Sequence, residues 1–201
     1  MSTGLIGSRT QNCECVVTNR YIEGQALVAS PYLADRNFLR SVVYIVKHDE
    51  DGAYGLILNR PTDVTIGELL QQVLETEVEN AEPIYHGGPV EGPVLVMHEQ
   101  ELDGAPHYEP GVYLSSDQDD VATVCVEPTG RFRVFNGYAG WAPQQLDEEL
   151  KQGGWLVWKI SKQELFAPAD EIWETAIRQI GREILAEGIA PVRIPDDPSY
   201  N

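Results

Sequence analysis

An α+β fold in a single domain is what the sequence predicts, on three observations. Short apolar runs rich in β-branched residues do not alternate strictly with helical stretches, as they would in a doubly wound sheet. Two of those runs, Val42–Val46 and Tyr54–Leu58, flank the polar, glycine-ended loop His48–Gly52, which reads as a hairpin. The length, 201 residues, suits one domain, with no internal repeat and no linker long enough to divide it.

Residues 1–23 are polar and aperiodic and read as a leader whose order depends on docking. The domain is expected over 24–187. Its first strands are Ala26–Ala29, Val42–Val46 and Tyr54–Leu58, the last broken by Asn59–Pro61. Thr65 and Glu68 have capping-box spacing, and Ile66, Leu69, Leu70, Val73 and Leu74 follow at helical intervals. The acidic run Glu75–Glu82 closes that helix. Pro83–His86 and Val94–His98 read as strands around Gly87–Pro93, too rich in glycine and proline for regular structure. Gly111–Leu114 and Arg131–Phe135 are further strands, and Val121–Val126 fits strand or helix. A turn over Gly137–Trp141 leads to a helix over Pro143–Leu150 with proline in its first turn. Trp155–Trp158 is the last strand and Glu171–Leu185 an amphipathic terminal helix. The proline-rich stretch 188–201 reads as a mobile tail.

Composition excludes several functions. Fourteen Lys and Arg against 32 Asp and Glu give a formal charge of −18. From Pro61 to Gly130 there are fifteen acidic residues and no Lys or Arg. Such a surface repels phosphate, so neither direct nucleic-acid binding nor an anionic membrane contact is expected. It is either a solvated face that favours solubility or a surface for a basic partner. Three cysteines, with Cys13 and Cys15 one residue apart and Cys125 distant, make no disulfide framework and suit a reducing, cytoplasmic setting. The Cys and His spacings fit no zinc site, so no metal or cofactor is expected. No secretory signal and no run long and apolar enough to span a bilayer is read.

Four stretches carry unusual residues: Ala29–Asp35 with Phe38 and Arg40 following, Gly55–Pro61, His86–Val90, and Gly137–Leu146. In this order they closely resemble the YqgE/AlgH family of bacterial proteins. The resemblance runs from about Gly24 to Gly181 and takes in Leu165, Phe166 and Trp173. Gln144 stands where the family commonly has glycine, and the leader is longer than usual. The resemblance implies a cytosolic protein with bent, partly barrel-like, mixed or antiparallel sheets flanked by helices. Some members are labelled transcriptional regulators, and the family offers no agreed catalytic residues to carry over.

The candidate ligand pocket is Asn59, Arg60, His86, Gly87, Gly88 and Gln145. Asn59 and Arg60 end a strand, where ligands often bind, and a guanidinium suits carboxylate or phosphate; the plainer reading is an ion pair to Asp35 or Glu149. His86–Gly88 is superficially similar to an esterase oxyanion loop, but the chain has no Gly-x-Ser-x-Gly elbow. The pair Gly87–Gly88 either permits close backbone approach or forms a nest for an anion. Gln145 follows a glycine-containing turn and could face a pocket, whereas Tyr138 and Trp141 read as core. The function expected is a non-enzymatic binding or regulatory protein acting through a protein or a small anionic ligand. The alternative is an enzyme, or a degenerate one, on a small anionic metabolite.

Overall fold

The structure, a computed structural model, describes residues 21–31, 33, 35–74 and 79–188. Of the expected leader 1–23, residues 1–20 lie outside the described residues, whereas Ile22 is buried in a core and its N–H donates to His48 Nδ1 (3.3 Å), so the domain begins before Gly24. Of the expected tail 188–201, Gly188 still belongs to the last helix and 189–201 lie outside the described residues. Apolar runs that continue without alternation belong to strands covered on both faces. Strand β1 (Ala26–Ala29) is buried at every residue, as is most of β2 (Val42–Asp49). Ala26, Val28, Tyr44 and Val46 enter one core; Leu27, Ala29, Val43 and Ile45 enter a second on the opposite face. Strand β2 turns through Glu50 and Asp51 into β3 (Gly52–Ile57), so the hairpin is tighter than the five-residue loop expected.

Strand β4 (Pro61–Thr65) pairs with β5 (Pro83–His86), so Pro61 opens a strand where a break was expected. Proline is admissible at a first strand residue because its missing N–H need not join the ladder. Helix α1 (Ile66–Leu74) begins at the expected capping box: the Thr65 N–H donates to Glu68 Oε2 (2.8 Å) and the Glu68 N–H to Thr65 Oγ1 (3.2 Å). Strand β6 (Val90–His98) begins inside the stretch expected to be irregular. Its register against its partner shifts between Val90 and Val94, and Pro93 is tolerated in that irregular segment. A two-residue strand β7 (His107–Tyr108), too short to show periodicity, pairs with β8 (Val112–Ser115).

The ambiguous segment is helix α2 (Gln118–Val126), because Asp117 Oδ1 caps it by accepting from the Asp119 N–H (2.9 Å). Strand β9 (Phe132–Trp141) runs through the residues expected to form a turn. At Gly137 (φ 74°) it kinks without breaking, and a side chain there would strike the carbonyl oxygens of Val90 (2.7 Å) and Gly88 (2.9 Å). Helix α3 (Gln145–Lys151) starts after Pro143, because Gln144 is left-handed (φ 65°) and ends the extended segment before the first turn. Strand β10 (Trp155–Trp158) agrees with expectation. A short helix α4 (Lys162–Leu165), held by a Ser161–Glu164 capping box, was not anticipated, and α5 (Ile172–Gly188) is the terminal amphipathic helix.

The strands make one curled, largely antiparallel sheet in the order β10-β1-β2-β3-β9-β6-β8-β7. Strand β9 organises it, pairing with β3 through Ala139–Trp141, with β6 along its length, and in parallel with β5 at Phe135 and Asn136. Helix α5 closes one face through Ile172, Ala176 and Ile180. The other is closed by Leu146 of α3, and a third core lies under α1 and α2 around Ile66, Leu70, Val96, Val124 and Val134. The result is a single α+β domain with a half-barrel sheet.

Candidate functional site

Asn59 and Arg60 end the β2–β3 hairpin and hold the segment before β2. Asn59 Oδ1 accepts from the Val42 N–H (3.0 Å) while its Nδ2 donates to the Arg40 carbonyl (2.9 Å). Arg60 Nη2 donates to the Leu39 carbonyl and to Ser41 Oγ (3.3 Å). Its expected carboxylate partners are engaged elsewhere: Asp35 Oδ1 accepts from the Asn37 N–H (2.8 Å), and Glu149 is occupied as described below. The Arg60 carbonyl accepts from the His86 N–H (2.8 Å), so Asn59, Arg60 and His86–Gly88 lie along one seam.

Within that seam the glycines press on β9. The Gly87 N–H donates to the Asn136 carbonyl (2.9 Å), and its own carbonyl accepts from the Ile57 N–H (2.8 Å). A Cβ at Gly87 would lie 2.1 Å from the Gly137 oxygen, and one at Gly88 2.2 Å from the Tyr138 carbonyl carbon. Close approach thus accounts for both glycines, and the Gly87 N–H is not free to serve a nest. Gln145 belongs to a different network. Its Oε1 accepts from the Ala142 N–H (3.0 Å) and its Nε2 donates to Glu149 Oε1 (2.9 Å). Glu149 Oε2 in turn accepts from the indoles of Trp141 (3.0 Å) and Trp155 (2.8 Å).

A concave site of chemical interest opens beside the start of β9. It is a cleft of about 550 Å³ whose walls include Glu82, Tyr85, Arg131, Phe132, Arg133 and Phe166. Arg133 lies on β9 and Arg131 immediately precedes that strand; two residues apart in extended chain, both line the cleft. Arg133 is 6% exposed, and its Nη1 donates to the carbonyls of Leu58 (2.8 Å) and Leu165 (3.2 Å), its Nη2 to that of Ala167 (2.9 Å). The last two are carbonyls left open where α4 ends. The guanidinium also lies 4.4 Å from the Tyr85 ring centre. Burial lowers its pKa, but an Arg begins so high that it keeps its charge.

Arg131 stands 5.1 Å over the Phe166 ring and meets Glu99 through a two-point fork, Nε to Oε2 at 3.0 Å and Nη2 to Oε1 at 2.7 Å. Lys162 Nζ approaches the same carboxylate at 3.5 Å. The Arg131 side-chain hydrogen bonds, outweighing some desolvation, pull the Glu99 pKa down to about 2. Reading the sequence did not single out Arg131, Arg133, Tyr85, Phe132 or Phe166 as site residues. A signal was present: these arginines are the first cations after the long acidic stretch, and they sit at strand spacing.

One Ser–His contact also exists. His98 Nδ1 donates to the Gln100 carbonyl (2.8 Å), leaving Nε2 to accept from Ser115 Oγ (3.2 Å). Both residues are buried, and burial lowers the His98 pKa, so the pair reads as satisfied core polarity. Cys125 is buried too, its thiol pushed up to about 12 by desolvation, which makes it inert. Among the described residues no group of three or more His, Cys, Asp or Glu could hold a metal ion, and no helix is long and apolar enough to cross a membrane.

The family model described as AlgH-like matches residues 26–185. The chain belongs to the AlgH-like family. It is 34% identical to a UPF0301 protein of Streptomyces avermitilis, over 90% of this chain and 95% of that one. A UPF0301 protein of Vibrio cholerae is 34% identical over 87% and 96%. The solution structure of the AlgH protein from Pseudomonas aeruginosa superimposes with a TM-score of 0.69 at 30% identity, covering 86% of this chain and 96% of that one. A crystal structure of a Corynebacterium diphtheriae protein gives 0.66 at 25% identity, covering 79% and 86%. The family match therefore spans every strand from β1 to β10.

Proposed function

We propose that this AlgH-like protein is a non-enzymatic, cytoplasmic binding protein whose small-molecule partner is an anion seated in the Arg131–Arg133 cleft. A regulatory role would follow from ligand occupancy passed to a protein partner. The observation that carries the reading is the placement of two arginines in one concave, ring-lined site of a chain with a formal charge of −18. One of them is buried and held by neutral carbonyls, so its charge is not cancelled by a carboxylate bonded to it. A cation fixed in low dielectric attracts an anion more strongly than the same cation in water. Cations and aromatic rings bind and orient; they do not themselves supply the nucleophile–base pair that hydrolysis needs.

The test is a thermal-shift screen of small metabolites on the full chain, repeated with Arg131→Met. Ligands that bind only the folded state raise the transition temperature. The expected hits are anions whose shift is lost in Arg131→Met and which mass spectrometry recovers unchanged after incubation. A hit recovered chemically altered would favour the enzyme reading, and hits indifferent to Arg131 would place the partner elsewhere.

A further inference from the structure

The chemistry of the same cleft narrows the class of anion it takes, an inference that rests on the binding reading above. We infer that the ligand is a small monocarboxylate with an aromatic or apolar body, in preference to a phosphate ester.

Charge is the first reason. Arg131, Arg133 and Lys162 stand against Glu99 and Glu82, which leaves one net positive charge at the site. A monocarboxylate cancels it. A phosphate monoester carries a charge of about −1.5 to −2 at neutral pH and would leave an excess of negative charge in an already acidic chain.

Geometry is the second reason. The Glu99–Arg131 fork shows what this guanidinium accepts, a planar carboxylate bound at two points. Glu99 uses the Nε edge of Arg131. Nη1, on the other side, has a single long contact, to the Gln163 carbonyl at 3.5 Å, and the side chain is 45% exposed, which leaves N–H donors for a second carboxylate. The Phe166 ring beside Arg131 and the Tyr85 ring beside Arg133 restrict both guanidinium groups before a ligand arrives.

The walls are the third reason. Tyr85, Phe132 and Phe166, with Pro83, Pro128 and Ile66, give the cleft an aromatic and aliphatic lining. Its volume of about 550 Å³ suits a ring-sized organic body and far exceeds what a bare inorganic anion needs.

The experiment is an amide-resolved NMR titration of the full chain at low ionic strength with phenylacetate, inorganic phosphate and adenosine monophosphate, each taken to millimolar concentration. Phenylacetate should shift the amides of Tyr85, Arg131–Arg133 and Phe166 and bind more tightly than either phosphate compound. Arg131→Met, whose amide spectrum reports that it is folded, should weaken phenylacetate by roughly tenfold. Glu99→Gln should raise the site to two net positive charges and shrink the preference for phenylacetate over phosphate several-fold. Tighter binding of either phosphate compound at these amides would overturn the monocarboxylate inference and leave the anion-binding reading standing. An unchanged preference in Glu99→Gln would overturn the charge argument and the inference with it. Absence of any shift at the cleft with all three probes would remove both.

Discussion

Gln144 sits at φ 65°, in the left-handed region where a side chain crowds the backbone by about 1 kcal/mol and glycine does not. Its position between the end of β9 and α3 demands that turn. Gln144→Gly should therefore stabilise the fold. Relief of crowding outweighs the greater freedom of the unfolded glycine chain, for a net gain of about 0.5 kcal/mol. Urea denaturation with unchanged slope would show it as a higher midpoint, and a lower one would contradict it. Trp141, three residues earlier, is 6% exposed and packs with Trp155, Leu146 and Phe38 while its indole N–H reaches Glu149. It borders a groove with Tyr54 and Tyr138, yet its burial marks it as core. Trp141→Ala should cost about 3–5 kcal/mol, and the same denaturation would reject the packing role if the loss stayed below about 1 kcal/mol.

At the scale of elements, what could be read from sequence was what local rules control. Strands β1, β2 and β10 announced themselves as apolar runs, and α1 by Thr65, Glu68 and a spaced apolar face. The sequence ends a strand at Phe135 because Gly137 and Gly140 look like turn residues; in the fold Gly137, at φ 74° and pressed against the Val90 and Gly88 carbonyls, lets one strand cross between the two halves of the sheet. The cleft escaped notice for a related reason. Arg133 makes sense only against the open carbonyls at the end of α4, and a four-residue helix has too little periodicity to detect, although Ser161 and Glu164 show the same capping spacing as Thr65 and Glu68. Glu99, just past β6, ties that strand's end to the start of β9 through Arg131. Its folded pKa is depressed to about 2 from an ordinary 4.5, so its contribution is complete above the unfolded value and is lost as pH falls from about 5 toward 2. Glu99→Gln should lose less stability than wild type across that interval. Acid titrations followed by circular dichroism would show the flatter limb, and parallel curves would deny the pair its role.

For the whole molecule, the relevant quantity is where charge lies. The stretch 61–130 contributes β4 to β8, α1 and α2 without a single Lys or Arg, so, histidines aside, the charged side chains it supplies are all carboxylates. The arginines of the cleft follow at once, at the start of the strand that joins the two halves of the sheet. An anion small enough to enter the cleft meets them; a nucleic-acid duplex must also lie against the surrounding acidic surface. Helices that read a major groove carry bases along one exposed face, whereas α5 offers only Arg178 and Arg182, and Arg178 Nε is already bonded to the Glu174 carbonyl (3.3 Å). Neutralising phosphates supplies most non-specific affinity for DNA, and this chain has few cations with which to do it. The full chain should therefore give no retarded band with duplex DNA at physiological salt. Lowering the salt should not rescue binding, because the long-range repulsion of a chain charged at −18 grows as screening falls. A retarded band that survives competitor DNA and strengthens at low salt would show that the described surface is not the one that meets nucleic acid, and would return direct DNA contact to the account of this family member.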